Sequence, residues 1–193
     1  MNRFIKILII VIILCTGCSD NINYPEIPSE QKYLFEFEFI NAAWGWNHYG
    51  FYIDNEGNIY KFESPLDAPT GDQWTPNSSG IYSEQELLQK YSMLPQFVGK
   101  INQFDLELKK NRIGFASKGE LSDPKSEMND AGSLIFKCYY IPEDLEKNDV
   151  YKEVILLQKG DIMIENLSPD GKYLARWLWD LYYELYTFGG DEK

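Results

Sequence analysis

The sequence predicts one α+β domain: an antiparallel sheet built of hairpins, with about three helices packed on it. Three observations carry this. Residues 33–40 alternate aromatic and acidic side chains with the period of a strand, Asp54-Asn-Glu-Gly-Asn58 sets turn chemistry between two strand-like runs, and a leucine stripe at helical spacing follows Ser168-Pro169.

Each element has its own justification. In the first strand, the alternation puts Tyr33, Phe35, Phe37 and Phe39 on one face and Glu36 and Glu38 on the other, so the glutamates are expected on its wet side. Tyr49–Ile53 and Ile59–Glu63 flank a hairpin turn in which Gly57 can take the left-handed position. Residues 64–80 hold three prolines, Gly71 and many small polar residues, which predicts a long loop. Ser83-Glu-Gln-Glu86 is a capping box opening a helix whose apolar side is Leu87, Leu88, Tyr91 and Leu94, with Pro95 as its stop. A second helical pattern places Phe97, Ile101, Phe104 and Leu108 inward, with Glu107, Lys109 and Lys110 outward. Residues 116–132 return to loop composition. Strands are expected at 134–141, 151–158 and 162–165. Cys138 shares a face with Phe136 and Tyr140 and is expected in the core. Ser168 then caps a last helix with Pro169 at its first position, and Leu174, Trp177, Leu178, Leu181 and Leu185 form its buried stripe.

The chain divides into three parts on composition. Arg3 and Lys6 give residues 1–17 a basic start, Ile7–Leu14 is an apolar run too short to span a bilayer, and Thr16-Gly17 supplies small residues before Cys18. This segment resembles a bacterial lipoprotein signal with Cys18 at the lipobox cysteine. One position departs from the pattern, since Cys15 stands where leucine is usual. The resemblance implies cleavage after Gly17 and diacylglyceryl attachment to the Cys18 sulfur, with palmitate-type acyl chains on the mature N-terminus. Residues 18–31 read as the lipidated cysteine and a flexible tether, with a root-mean-square reach of roughly 20 Å. Residues 32–193 read as the acidic globular domain.

Charge and cysteine content narrow the function classes. The chain carries 30 acids against 18 bases, a net charge of −12, and loses two bases but no acid with residues 1–17. No cluster of Lys and Arg is present to neutralise phosphates, so a nucleic-acid partner is not expected. With Cys15 removed and Cys18 lipidated, Cys138 has no partner for an intrachain disulfide, so packing must supply the stability.

Candidate chemistry is sparse. His48, the only histidine, lies among Trp44, Trp46 and Tyr49, with no nucleophile or acid beside it in sequence. Glu36 and Glu38 stand about 7 Å apart along a strand, which overlaps glycosidase carboxylate spacing, but glycosidase acids come from separate elements around a cleft. Asp54-Asn-Glu-Gly-Asn58 has glycine fourth and strands on both sides, so it reads as a turn and not as a calcium loop. No metal site or cofactor is expected. Two aromatic groups are candidate binding surfaces: Trp44, Trp46 and Tyr49 around Gly45, and Trp179, Tyr183 and Tyr186 beside the final leucine stripe. The reading is a lipid-anchored envelope protein, outside the cytoplasm, that binds a protein or glycan partner without catalysis. A small envelope hydrolase using His48 and nearby carboxylates is the alternative.

Overall fold

The computed structural model describes residues 27–43, 47–63, 79–91, 95–142 and 150–188. The signal-like segment, Cys18, Trp44, Trp46, Leu94 and the loop 64–78 lie outside the described residues. An antiparallel sheet of nine strands carries three helices, so the α+β expectation holds.

In chain order these are β1 (Tyr33–Asn41), β2 (Asn47–Asp54), β3 (Asn58–Glu63), β4 (Ile81–Ser83), α1 (Glu84–Tyr91), β5 (Gln96–Lys100), α2 (Gln103–Ala116), β6 (Lys125–Ser126), β7 (Ser133–Tyr140), β8 (Val150–Gly160), β9 (Ile162–Glu165) and α3 (Pro169–Tyr183). A π-helical turn, Glu184–Phe188, extends α3. The sheet order is β5-β3-β2-β1-β7-β8-β9-β6, and β4 pairs with the start of β8. Hence β1 and β7, distant in sequence, are neighbours at the centre.

Local chemistry sets the turns and caps. Asp54 Oδ1 accepts from the backbone N–H groups of Glu56 (2.9 Å) and Asn58 (2.8 Å), while Gly57 takes φ +82°, which closes the β2–β3 hairpin. The capping box forms as expected: the Glu86 N–H donates to Ser83 Oγ (3.2 Å), and Glu86 Oε2 accepts from the Ser83 N–H (2.6 Å). Ser168 Oγ likewise accepts from the Gly171 N–H (2.9 Å) at the start of α3.

Both faces of the sheet are covered. On one, Phe35, Phe37, Phe51, Phe136, Cys138 and Leu156 pack against Leu106 and Ile113 of α2 and Leu174 and Leu178 of α3. Cys138 is fully buried, and that burial pushes its thiol pKa up, helped by Glu153. On the other face, Tyr33, Tyr52, Phe62, Tyr82, Tyr139 and Tyr151 pack under Leu87 and Tyr91 of α1.

The structure corrects five expectations. Leu88, read on the apolar side of α1, is exposed, while Lys90 is buried with Leu87 and Tyr91. A β-bulge between Tyr33 and Phe35 breaks the alternation, so Tyr33 joins the tyrosine-rich face while Leu34 and Phe35 both enter the other core. Glu36 and Glu38 are not on a wet face; they are 0% and 1% exposed, because α1 covers that side. Residues 96–100 form an edge strand, which removes Phe97 from the helix that begins after the Asn102 cap. The face of α2 that packs is therefore Leu106, Lys109, Ile113 and Ala116, and Phe104 and Leu108 point outward. Finally, Gln31, assigned to the tether, is fully buried: its Nε2 donates to the carbonyls of Tyr33 (2.8 Å) and Tyr139 (2.7 Å), and its Oε1 accepts from the Ile141 N–H (3.1 Å). This amide links the ends of β1 and β7 where their backbone pairing stops.

Leu178 lies at the centre of the α3 contact, fully buried. Leu178→Ala should cost about 2–5 kcal/mol in urea denaturation, because the space it leaves cannot refill. Phe104→Ala, on the outer side of α2, should change stability by less than about 0.5 kcal/mol.

Candidate functional site

The only histidine and the paired glutamates meet inside the molecule. Glu36 and Glu38 project from β1 toward α1, and the sheet register sets Lys137 of β7 directly opposite Glu36. The last turn of α1 brings Lys90 and Tyr91 down onto the same spot. Lys90 Nζ bridges the two carboxylates, touching Glu36 Oε1 and lying 2.6 Å from Glu38 Oε2. Lys137 Nζ touches Glu38 Oε1 and sits 2.7 Å from Glu153 Oε2 of β8. Tyr91 and Tyr139 both donate their hydroxyls to Glu36 Oε2, the second at 2.5 Å.

His48 completes this group from β2. Its Nε2 lies 3.1 Å from Glu38 Oε2, and its ring meets the Phe62 ring edge-on at 5.4 Å. Gly50 lies beside this contact, at a place with no room for a side chain. It sits between Glu38 and Phe62 in register, where a Cβ would lie 2.8 Å from the Phe62 ring and 3.0 Å from Glu38 Cα. Each oxygen of Glu36 and Glu38 thus has a cationic or hydroxyl partner or the His48 ring.

Electrostatics here are decided by pairing and not by burial. Burial alone would raise the Glu38 carboxyl, but the Lys137 and Lys90 ammonium groups, with the His48 contact, hold it well below the usual carboxylate range. Burial would likewise lower Lys137, and Glu153, Glu38 and Glu36 outweigh it and hold the ammonium well above its ordinary value. Burial, and next the Glu36 charge, push the Tyr91 and Tyr139 hydroxyls well up, so they stay protonated donors.

This arrangement is chemically closed. The side chains of Glu36, Glu38, Lys90, Lys137 and His48 are 2% exposed or less. A carboxylate locked as an anion between two ammonium groups is a poor proton donor, and a substrate has no path to it in this conformation. Among the described residues, no group of three or more His, Cys, Asp and Glu side chains is placed to hold a metal ion. The Asp54 loop uses its carboxylate on its own backbone, as the turn reading expects.

The aromatic candidates separate. Tyr186, expected on the same surface as Trp179 and Tyr183, turns toward the sheet: its hydroxyl donates to the Gly50 carbonyl (2.8 Å), and Lys61 Nζ lies 4.3 Å above its ring. Tyr49, from the other candidate group, packs on Tyr186 (5.5 Å) and Phe39 (5.1 Å), so these two rings seal the rim of the core. Trp179 leans on Phe136 at 5.4 Å, and among the described candidates only Tyr183 is openly exposed, at 41%. Helical spacing could not separate them, because the turn after Tyr183 is π-helical and shifts where Tyr186 points.

Trp179 also forms one wall of an open groove of about 500 Å³ between α3 and strands β8 and β9. Leu156 and Leu157 lie in its floor, and Lys172, Arg176, Asp180 and Glu165 line it. Among the described residues none of these four charged side chains has an ion-pair or hydrogen-bond partner. Sequence reasoning missed the groove, since its residues come from separate elements. No protein-family model matches this chain, and neither a curated protein nor a solved structure does.

Lys90→Ala should cost about 3–5 kcal/mol, because it leaves two buried carboxylates short of a counter-charge. Lys32→Ala, which breaks an exposed pair with Glu84 at 2.5 Å, should cost less than about 1 kcal/mol in the same denaturation assay.

The pH dependence follows from the two large shifts. Glu38 is depressed in the folded state, so its contribution is complete above its unfolded value of about 4 and is lost as pH falls toward the folded value. Lys137 is raised, so its contribution is complete below about 10 and is lost as pH rises through the folded value. Urea midpoints across pH should show a plateau between these limits. Glu38→Gln should lower the plateau and flatten its acid edge.

Proposed function

We propose that this protein is a bacterial envelope lipoprotein, anchored through acyl chains on Cys18, whose domain binds a partner and does not catalyse a reaction. The observation that carries the address is the run of basic residues Arg3 and Lys6, the apolar segment Ile7–Leu14, and Thr16-Gly17 ahead of Cys18. Two or more acyl chains suffice to hold a soluble domain at a bilayer, since each buried methylene is worth about 0.8 kcal/mol.

The binding half of the reading draws support from the domain itself. The side chains best suited to acid–base work are neutralised and enclosed, which suits a structural role for His48, Glu36 and Glu38. The groove beside Trp179 is open and offers an aromatic wall with charges of both signs. Such a surface suits a peptide or a glycan carrying both polar groups and apolar faces.

Cells fed a clickable palmitate analogue should label the wild-type chain. Cys18→Ala should abolish the label and leave the chain as uncleaved precursor or outside the membrane fraction. Labelling that survives Cys18→Ala would overturn the anchor. For the groove, a photo-crosslinking amino acid in place of Arg176 should capture a partner in living cells, and one in place of Lys118, outside the groove, should not. Equal adducts from both positions would count against the groove as the binding surface.

A further inference from the structure

We infer that the outer side of α2 rests on the lipid surface to which the chain is tethered, with Phe104 and Leu108 as the side chains that enter it. This rests on the reading of Cys18 as the anchor. It adds an orientation and a contact surface that the anchor alone does not specify.

The first observation is the two-sided character of α2. At about 100° per residue, Leu106, Ile113 and Ala116 share one side and Phe104 and Leu108 the opposite one. The first set is buried against the sheet, while Phe104 is 74% exposed and Leu108 44%. Phe104 is the most exposed large hydrophobic side chain of the described residues. An isolated exposed apolar residue is ordinary. Here two stand one helical turn apart at a particular place.

That place is the second observation. Ile27, the first described residue, packs against the same core that α2 covers. The Ser29 carbonyl accepts from Asn55 Nδ2 (3.1 Å) and the Lys32 carbonyl from the Asn55 N–H (2.9 Å). Two residues on in that hairpin turn, the Gly57 carbonyl accepts from the N–H of Ile101 (2.9 Å), next to the Asn102 cap of α2. The start of the described chain, the β2–β3 turn and the N-terminal end of α2 therefore meet at one end of the sheet. Cys18 lies nine residues before Ile27, a span of at most about 30 Å. The exposed end of α2 is thus held within reach of the bilayer that the anchor occupies.

On the stripe's own flanks Lys100 and Lys110 offset Asp105 and Glu107, with Lys110 and Glu107 3.9 Å apart, while the adjoining β2–β3 turn adds Asp54 and Glu56. A protruding phenylalanine on this surface suits a zwitterionic lipid face better than an anionic one, which the turn carboxylates would oppose. Two side chains alone would bind a membrane weakly. The tether supplies a high effective concentration, so a weak contact is enough to fix the orientation.

The test uses the full-length chain purified from membranes and reconstituted into phosphatidylcholine vesicles containing a nitroxide-labelled lipid. A thiol-reactive fluorophore is placed in the Gln103→Cys variant beside the stripe, and in the Leu88→Cys variant on α1, across the sheet. Leu88 is 56% exposed, and Cys138 is buried and does not compete for the label. The Gln103→Cys probe should be quenched several-fold more than the Leu88→Cys probe. Adding Phe104→Ser and Leu108→Ser should reduce its quenching to the Leu88→Cys level. Retention on floated vesicles with equal quenching at both positions would overturn this inference and leave the anchor standing. Failure to float with the vesicles would overturn the anchor and the inference together. Protection of the Gln103→Cys probe in a concentration-dependent dimer without lipid would assign the stripe to a second copy and overturn the inference too.

Discussion

The pair of carboxylates on β1 is the constraint around which this domain closes. Two anions two residues apart on a central strand cannot be buried unless counter-charges arrive from elsewhere. They come from both directions, Lys137 from the neighbouring strand and Lys90 from α1. A helix of eight residues has little stability of its own, so α1 depends on such tertiary contacts. The ionic contact fixes its position as well as its presence. Sliding α1 by a residue would take Lys90 away from both glutamates and the Tyr91 hydroxyl away from Glu36. A purely apolar contact would tolerate that shift more readily. The conformational specificity argued for some buried polar groups would take this form here.

The two faces of the sheet are consequently of different kinds. Beneath α2 and α3 the core is phenylalanine and aliphatic, and shape complementarity decides it. Beneath α1 it is tyrosine-rich: Tyr52 stacks on Tyr91 at 4.2 Å, and Tyr33 and Tyr151 close in around them. Tyrosine serves this layer because its ring fills volume while its hydroxyl reaches a buried charge or a backbone group. Tyr139 does so at Glu36, and Tyr151 accepts from the Lys32 N–H at 3.1 Å. Sealing this layer explains why the residues best suited to catalysis face away from solvent. Open polar surface is found instead along α3, where the charges of the Trp179 groove have no ion-pair partner among the described residues.

The sequence by itself determined every element whose cause is local. The turn at Asp54–Asn58, the Ser83–Glu86 capping box and the Ser168-Pro169 start are each dictated by a few adjacent residues, and each forms as read. The buried position of Cys138 also follows locally, from the alternation of its own strand. Tertiary structure decided what depends on partners distant in the chain. Whether Glu36 and Glu38 face water or protein depends on α1, some fifty residues away, and alternation reports only that they share a face. The inward side of α2 is not legible from spacing, because the helix carries apolar residues on both sides and packing alone selects Leu106 and Ile113 over Phe104 and Leu108. Lys90 and Lys109 are buried although composition marks them as solvent residues. A lysine's charge can be neutralised or its stem covered by groups that periodicity cannot locate.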